Sequence, residues 1–149
     1  MIKVLLVDDH KIVRTGIRGI FEATDDIEVM GEAASGEEAV KFVRTHVPDV
    51  ALMDLQMPGM GGLEATKSVT RISPRTRVLV LTSYEDEIFP MRLLRNGAAG
   101  YLTKGCASDE LLEAVRQMST GERYLSPDIA KQLALRRFDD KVNSPFEIL

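Results

Sequence analysis

The sequence predicts a doubly wound α/β fold, with a five-stranded parallel sheet covered by helices on both faces. Three observations predict it. Runs such as VLLV, VALM and VLVL are short and apolar at every position, which suits strands buried on both sides. Segments with helical spacing alternate with these runs. Four runs also break off into polar residues of different kinds: Asp8 and Asp9, Asp54, Thr82, and Lys104. In this fold class ligands bind beyond the carboxyl ends of the strands, so these residues are expected to share one pocket.

The 149 residues fit one domain with a tail. Hydrophobic residues make up 44% and charged residues 28%, as in an ordinary globular protein. A net charge of -4 argues against nucleic-acid binding by this segment on its own. The single cysteine, Cys106, excludes an internal disulfide and fits a reducing compartment. No secretory leader or membrane-length apolar stretch is visible, and a cytoplasmic location is expected.

Strands are expected near 3–7, 28–33, 49–53, 77–82 and 100–103, the second of them an edge because it carries Gly31 and Glu32. The first helix, over 11–23, has an apolar stripe of Ile12, Val13, Ile17, Ile20 and Phe21. Ser35 and Glu38 form a capping box that opens a helix to about Thr45. The third, over 62–72, is stopped by Ser73-Pro74. Pro90 would break a helix interior, so a short fourth helix starts there, after a mobile loop, and ends at Asn96-Gly97. Ser108 caps the fifth, with Leu111, Leu112, Val115 and Met118 inward and Gly121 closing it. The domain is expected to span 1–121. Residues 122–149 read as a linker helix opened by Ser126-Pro127, then a polar linker. The final Phe146, Ile148 and Leu149 read as the threshold of a further domain.

Asp54 is followed by LQMPGMGG, whose glycines and Pro58 signal a sharp loop back across the sheet. A carboxylate there can attack phosphorus, ligate a metal or simply cap the loop. Three converging carboxylates raise one another's pKa unless a cation neutralises them, and magnesium suits an all-oxygen set. Asp8 and Asp9 can also cap the first helix. Thr82 and Lys104 singly read as a strand residue and a solvated charge. Beside the carboxylates they read as donors to phosphoryl oxygens, since phosphoryl transfer needs little beyond positioning and charge neutralisation. His10 reads as opening the first helix and Cys106 as incidental.

In the order and spacing of VLLVDDH, VALMDLQMPGMGG, VLVLTS and GAAGYLTK, the chain resembles the receiver domain of two-component response regulators, over about residues 1–121. The resemblance implies a flavodoxin-like strand order of 2-1-3-4-5. It implies Asp54 as the phosphate acceptor, supplied by a sensor histidine kinase, a histidine phosphotransfer domain or a small phosphodonor. Asp9, Asp54 and the backbone carbonyl of Gln56 would bind Mg2+ directly, with Asp8 acting through water. Thr82 and Tyr101 would be coupled switch positions, with the ring turning inward on phosphorylation, and Gln56 and Tyr84 would tune the phosphoaspartate lifetime. VDDH, RNGAAGYLTKG and GERYLSP are similar to the NarL/FixJ branch, which carries a LuxR-type helix-turn-helix output domain. RTGI, GGLEAT, FPMRLL and SPFEIL are similar to the GacA/UvrY/VarA group. That likeness implies a homodimer when phosphorylated and control of transcription through a DNA-binding domain absent from these residues. Gly105 stands where many receivers have a cis proline. Pro90 interrupts the helix that many of them use for signalling. Two alternatives remain at this point: a haloacid-dehalogenase-like aspartyl-phosphate phosphatase and a dimerisation module independent of phosphorylation. The first needs an acid two residues after its nucleophile, where Asp54 is followed by Gln56 and Asp8 by His10.

Overall fold

The computed structural model describes residues 1–83 and 90–125, with 130, 131 and 134 as isolated helical positions. Tyr84, the loop before the fourth helix and most of the expected linker helix and tail lie outside the described residues. In chain order the elements are β1 (Ile2–Val7), α1 (Lys11–Glu22), β2 (Ile27–Ala33), α2 (Gly36–Val43), β3 (Val50–Asp54) and α3 (Gly62–Ile72). They continue with β4 (Arg77–Thr82), α4 (Pro90–Arg95), β5 (Ala98–Thr103), α5 (Ser108–Ser119) and β6 (Tyr124–Leu125).

All strand pairs are parallel, in the order β2-β1-β3-β4-β5-β6. The expected order of five strands is present, with β2 at an edge. A sixth, β6, extends the other side by pairing Gly100 with Tyr124 and Tyr101 with Leu125. Two residues carry no alternation to read, so tertiary pairing alone makes them a strand.

Period-two alternation divides the core. Leu5, Val7, Ala51, Met53, Val78 and Val80 face one way and pack with Ala39 and Val43 of α2 and Ala65 and Val69 of α3. Val4, Leu6, Val50, Leu52 and Leu79 face the other way, with Phe21 of α1 and Leu111, Val115 and Met118 of α5. Both faces of the sheet are therefore covered. β2 lies to one side of β1 and β3 to the other, which makes the carboxyl ends of β1 and β3 the topological switch point.

Local expectations hold at α3 and α4. The latter begins at Pro90, and Gly97 follows at φ +103, a conformation that suits glycine. Four readings are corrected. Ile12 is 83% exposed, because at 3.6 residues per turn it lies off the face on which Ile17 and Ile20 pack against the core. Ser108 is the first residue of α5, and Ala107 occupies the cap position with no side-chain bond. The Ser35 hydroxyl accepts the Glu38 N–H at 3.1 Å, but the Glu38 carboxylate takes the Ala34 N–H instead of closing a reciprocal box. At α1 the cap position belongs to His10, not to Asp8 or Asp9.

Candidate functional site

β1 and β3 are adjacent and in register, Val7 beside Met53, so their next residues emerge together at the switch point. Ligand atoms of Asp8, Asp9, His10 and Asp54 all lie within 4.8 Å of one another. Asp8 and Asp54 are buried, each 3% exposed. Lys104, arriving from the end of β5, places Nζ 2.9 Å from Asp54 Oδ1 and 3.4 Å from Asp8 Oδ2. Its backbone N–H donates to the Thr82 carbonyl at 2.6 Å, which anchors the loop after β5 to the end of β4. The peptide after Lys104 is trans, as expected with Gly105 in place of proline.

The Asp54 carboxylate is held by Lys104 and by the Gln56 N–H, which donates to Oδ1 at 3.3 Å. Burial is the main force on its pKa and pushes it up; the Asp8 charge adds to this, while Lys104 and the Gln56 N–H oppose it. Burial pulls the Lys104 ammonium down, but Asp54 and Asp8 together outweigh it and leave its pKa raised. Among the described residues, the buried side-chain atoms without a hydrogen bond are Asp8 Oδ2, Asp9 Oδ1 and Asp54 Oδ2. Two of them have ion-pair neighbours, Lys104 for Asp8 Oδ2 and the His10 ring for Asp9 Oδ1. Buried polar atoms are normally bonded, so three such oxygens in one place call for a ligand. An all-oxygen set of carboxylates fits a hard divalent cation.

The loop after Asp54 is built by close packing. Gly62 opens α3 directly against β3, where an added Cβ would lie 2.2 Å from the Asp54 carbonyl oxygen and 2.6 Å from Leu55 Cα. Its N–H donates to the Leu55 carbonyl at 2.9 Å. Gln56 is exposed at the rim.

Thr82 and Tyr101 are both buried, and the Thr82 hydroxyl donates to Tyr101 Oη at 3.2 Å. The ring is thus already inward, joined to the residue that ends β4. Cys106 is half-buried, and burial followed by the Glu110 charge pushes its thiol pKa up, which suppresses thiolate chemistry.

Two contributors were not legible in the sequence. The Arg14 guanidinium donates to the Asp8 carbonyl at 2.6 Å and to Glu32 at 2.9 Å, steadying the end of β1. Its signal was weak: one basic residue beside the apolar face of α1. Glu37 accepts the Met60 N–H at 2.6 Å and ties the loop after β3 to α2, a contact across 23 residues that no spacing announces. The His10 ring, read as opening α1, also places Nδ1 3.1 Å from both Asp8 Oδ1 and Asp9 Oδ1.

The chain belongs to the family of response regulator receiver domains, which residues 4–116 match. Within that family it is similar to the response regulator GacA of Pseudomonas syringae pv. syringae, 52% identical over all of this chain and 70% of the relative. It is also 48% identical to the response regulator UvrY of Escherichia coli, over all of this chain and 69% of that one. A crystal structure of a LuxR-family two-component response regulator from Aurantimonas superposes with a TM-score of 0.84 at 38% identity, covering 91% of this chain and 97% of the other. The chain is thus a receiver domain of the GacA/UvrY type. Among the described residues no helix is long and apolar enough to cross a membrane.

Proposed function

We propose that this receiver is switched by phosphorylation of Asp54, with Mg2+ bound beside it. One observation carries the reading: carboxylates of Asp8, Asp9 and Asp54 converge at the switch point of the sheet, each with a buried oxygen lacking a hydrogen bond, next to Lys104. Asp9, Asp54 and the Gln56 carbonyl would hold the ion and Asp8 would act through water. Bound there, Mg2+ neutralises the carboxylates and the incoming phosphoryl oxygens.

Lys104 and the Gln56 N–H orient the Asp54 carboxylate for attack on phosphorus. The donor is a phosphohistidine on a sensor histidine kinase or histidine phosphotransfer domain, or a small molecule such as acetyl phosphate. A carboxylate oxygen bonds to phosphorus, and the phosphorus–nitrogen or phosphorus–oxygen bond to the donor breaks. The ammonium of Lys104 then turns to the phosphoryl oxygens, and the Thr82 hydroxyl exchanges Tyr101 for the same group. An interaction made in only one of two states shifts the equilibrium toward that state, which lets Tyr101 report the event. The chemistry is confined to the domain's own phosphorylation and dephosphorylation, the latter tuned by Gln56 and Tyr84. No residue two places after Asp54 can protonate a leaving group, which weighs against a general phosphatase.

Residues 1–121 form the switch, β6 (Tyr124–Leu125) adds to its sheet, and the rest of 122–149 leads from it. The output is dimerisation and control of transcription in the cytoplasm, through a DNA-binding domain of the longer protein and not through this acidic segment. Incubation with Mg2+ and acetyl phosphate followed by intact-mass measurement tests the reading. The wild type acquires one phosphoryl group, and Asp54→Asn acquires none. An equal adduct on both proteins would overturn the assignment.

A further inference from the structure

We propose that Arg14, braced by Glu32, is a positioning residue for phosphorylation: it holds the peptide between Asp8 and Asp9 in the turn that aims both acids at one cation. The inference rests on reading the acidic cluster as the place where Asp54 is phosphorylated with Mg2+. β1 ends at Val7, and in a continued strand Asp8 and Asp9 would point to opposite faces. Their ligand atoms nevertheless meet within 4.8 Å, so the chain must turn at that peptide. The Asp8 N–H stays in the ladder, donating to the Ala33 carbonyl of β2 at 3.1 Å. Its carbonyl leaves the ladder and accepts from Arg14 Nη1 at 2.6 Å. Because the peptide is planar, holding that carbonyl also sets the direction in which Asp9 departs.

Arg14 is itself fixed. Its side chain is 14% exposed, and Nε donates to Glu32 Oε1 at 2.9 Å. Arg18 takes the other oxygen of that carboxylate, with Nε at 3.0 Å and Nη2 at 2.7 Å. Glu32 stands beside Leu6 in the register of β1 and β2, so the brace is anchored on the strand next to the one that turns. Arg18, against burial, and then Arg14 hold the Glu32 carboxyl below its ordinary value, which keeps it charged. Geometry and charge predict opposite results from losing Arg14. A guanidinium this near repels Mg2+, so a purely electrostatic role would tighten binding in Arg14→Ala. Loss of aim would weaken it, and groups that orient metal ligands are worth about tenfold or more in affinity. With Glu32 in contact to offset the guanidinium charge, loss of aim is the larger effect.

The Mg2+ Kd of the full 149-residue chain is to be measured by titration calorimetry for wild type, Arg14→Ala, Arg14→Lys and Arg18→Ala. Initial rates of phosphorylation by acetyl phosphate are followed against Mg2+ concentration in the same proteins. Arg14→Ala is expected to raise the Kd about tenfold and to keep its rate at saturating Mg2+ within about threefold, because the bound ion then gathers the acids itself. Arg14→Lys, whose ammonium can still donate to the Asp8 carbonyl, is expected to regain part of that affinity and to carry the comparison if Arg14→Ala does not fold. Arg18→Ala leaves the bond to Asp8 in place and is expected to bind Mg2+ within about twofold of the wild type. In metal-free protein the NMR resonance of the Asp8 carbonyl carbon is expected to move in Arg14→Ala and to hold its position in Arg18→Ala. Binding by Arg14→Ala or Arg14→Lys as tight as the wild type or tighter, an equal loss in Arg18→Ala, or an unmoved Asp8 resonance would overturn the inference. Normal Mg2+ binding by the wild type would then leave the site reading standing, and only the role of Arg14 would fall. A wild type that binds no Mg2+ would overturn both.

Discussion

The two ends of the sheet treat buried polar atoms in opposite ways. At the amino ends, the Thr76 hydroxyl donates to the Pro48 carbonyl at 2.8 Å and contacts Ser73 Oγ at 2.7 Å. Asp49 accepts the Lys3 N–H at 2.8 Å, and its carbonyl accepts the Arg77 N–H at 3.0 Å. Each group there has its partner within the fold. At the carboxyl ends Asp8, Asp9 and Asp54 leave three buried oxygens without a hydrogen bond. An unsatisfied buried polar atom costs about 1–3 kcal/mol, so nothing in folding favours this arrangement. The closed end holds the domain together, and the open end keeps capacity for a ligand that neutralises it.

Packing and site meet at Gly62, where the contrast between the ends is easiest to break. Gly62→Ala forces a Cβ to within 2.2 Å of the Asp54 carbonyl oxygen, and backbone must move. Denaturant unfolding is expected to show a loss of about 3 kcal/mol or more, together with loss of the Asp54 adduct. Thr76→Val separates the ends: it strips a bonded hydroxyl at the closed end without changing shape. Its expected cost is about 1–3 kcal/mol in the same unfolding assay, with phosphorylation by acetyl phosphate unchanged.

Asp54→Asn gives the smallest change and the opposite sign. Burial, then the Asp8 charge, holds the Asp54 carboxyl above its ordinary value of 3.8 despite Lys104. The native state therefore keeps a proton that the unfolded chain releases just above that value. Stability falls as pH rises through that window, because the unfolded state binds fewer protons there. With the carboxylate gone, the domain is expected to gain about 1 kcal/mol at neutral pH, and that part of the pH slope to flatten. Unfolding midpoints of both proteins from pH 4 upward check this, and an advantage of Asp54→Asn that does not grow with pH across that window would refute it.

The site was more legible than parts of its frame. Strands apolar at every position announce a doubly covered sheet, and the residue at which each run stops marks the pocket. Asp8, Asp9, Asp54 and Lys104 could therefore be gathered before any coordinates. Pro90 likewise dictated where α4 begins. What escaped depended on tertiary context. β6 is two residues held by its neighbour β5, and the exposure of Ile12 follows from which face of α1 meets the sheet. Arg14 and Glu37 support the site through carbonyl and amide groups of the backbone, which no side-chain pattern displays.

In the function proposed above, the open end takes a cation that neutralises its converging carboxylates. Thermal unfolding with and without Mg2+ tests this most directly. At a concentration about a hundredfold above Kd, binding adds about 2.7 kcal/mol, so the wild-type midpoint is predicted to rise by several degrees. Thr76→Val should keep that full rise and Asp54→Asn should lose most of it. No rise in the wild type, or an equal rise in Asp54→Asn, would contradict the account.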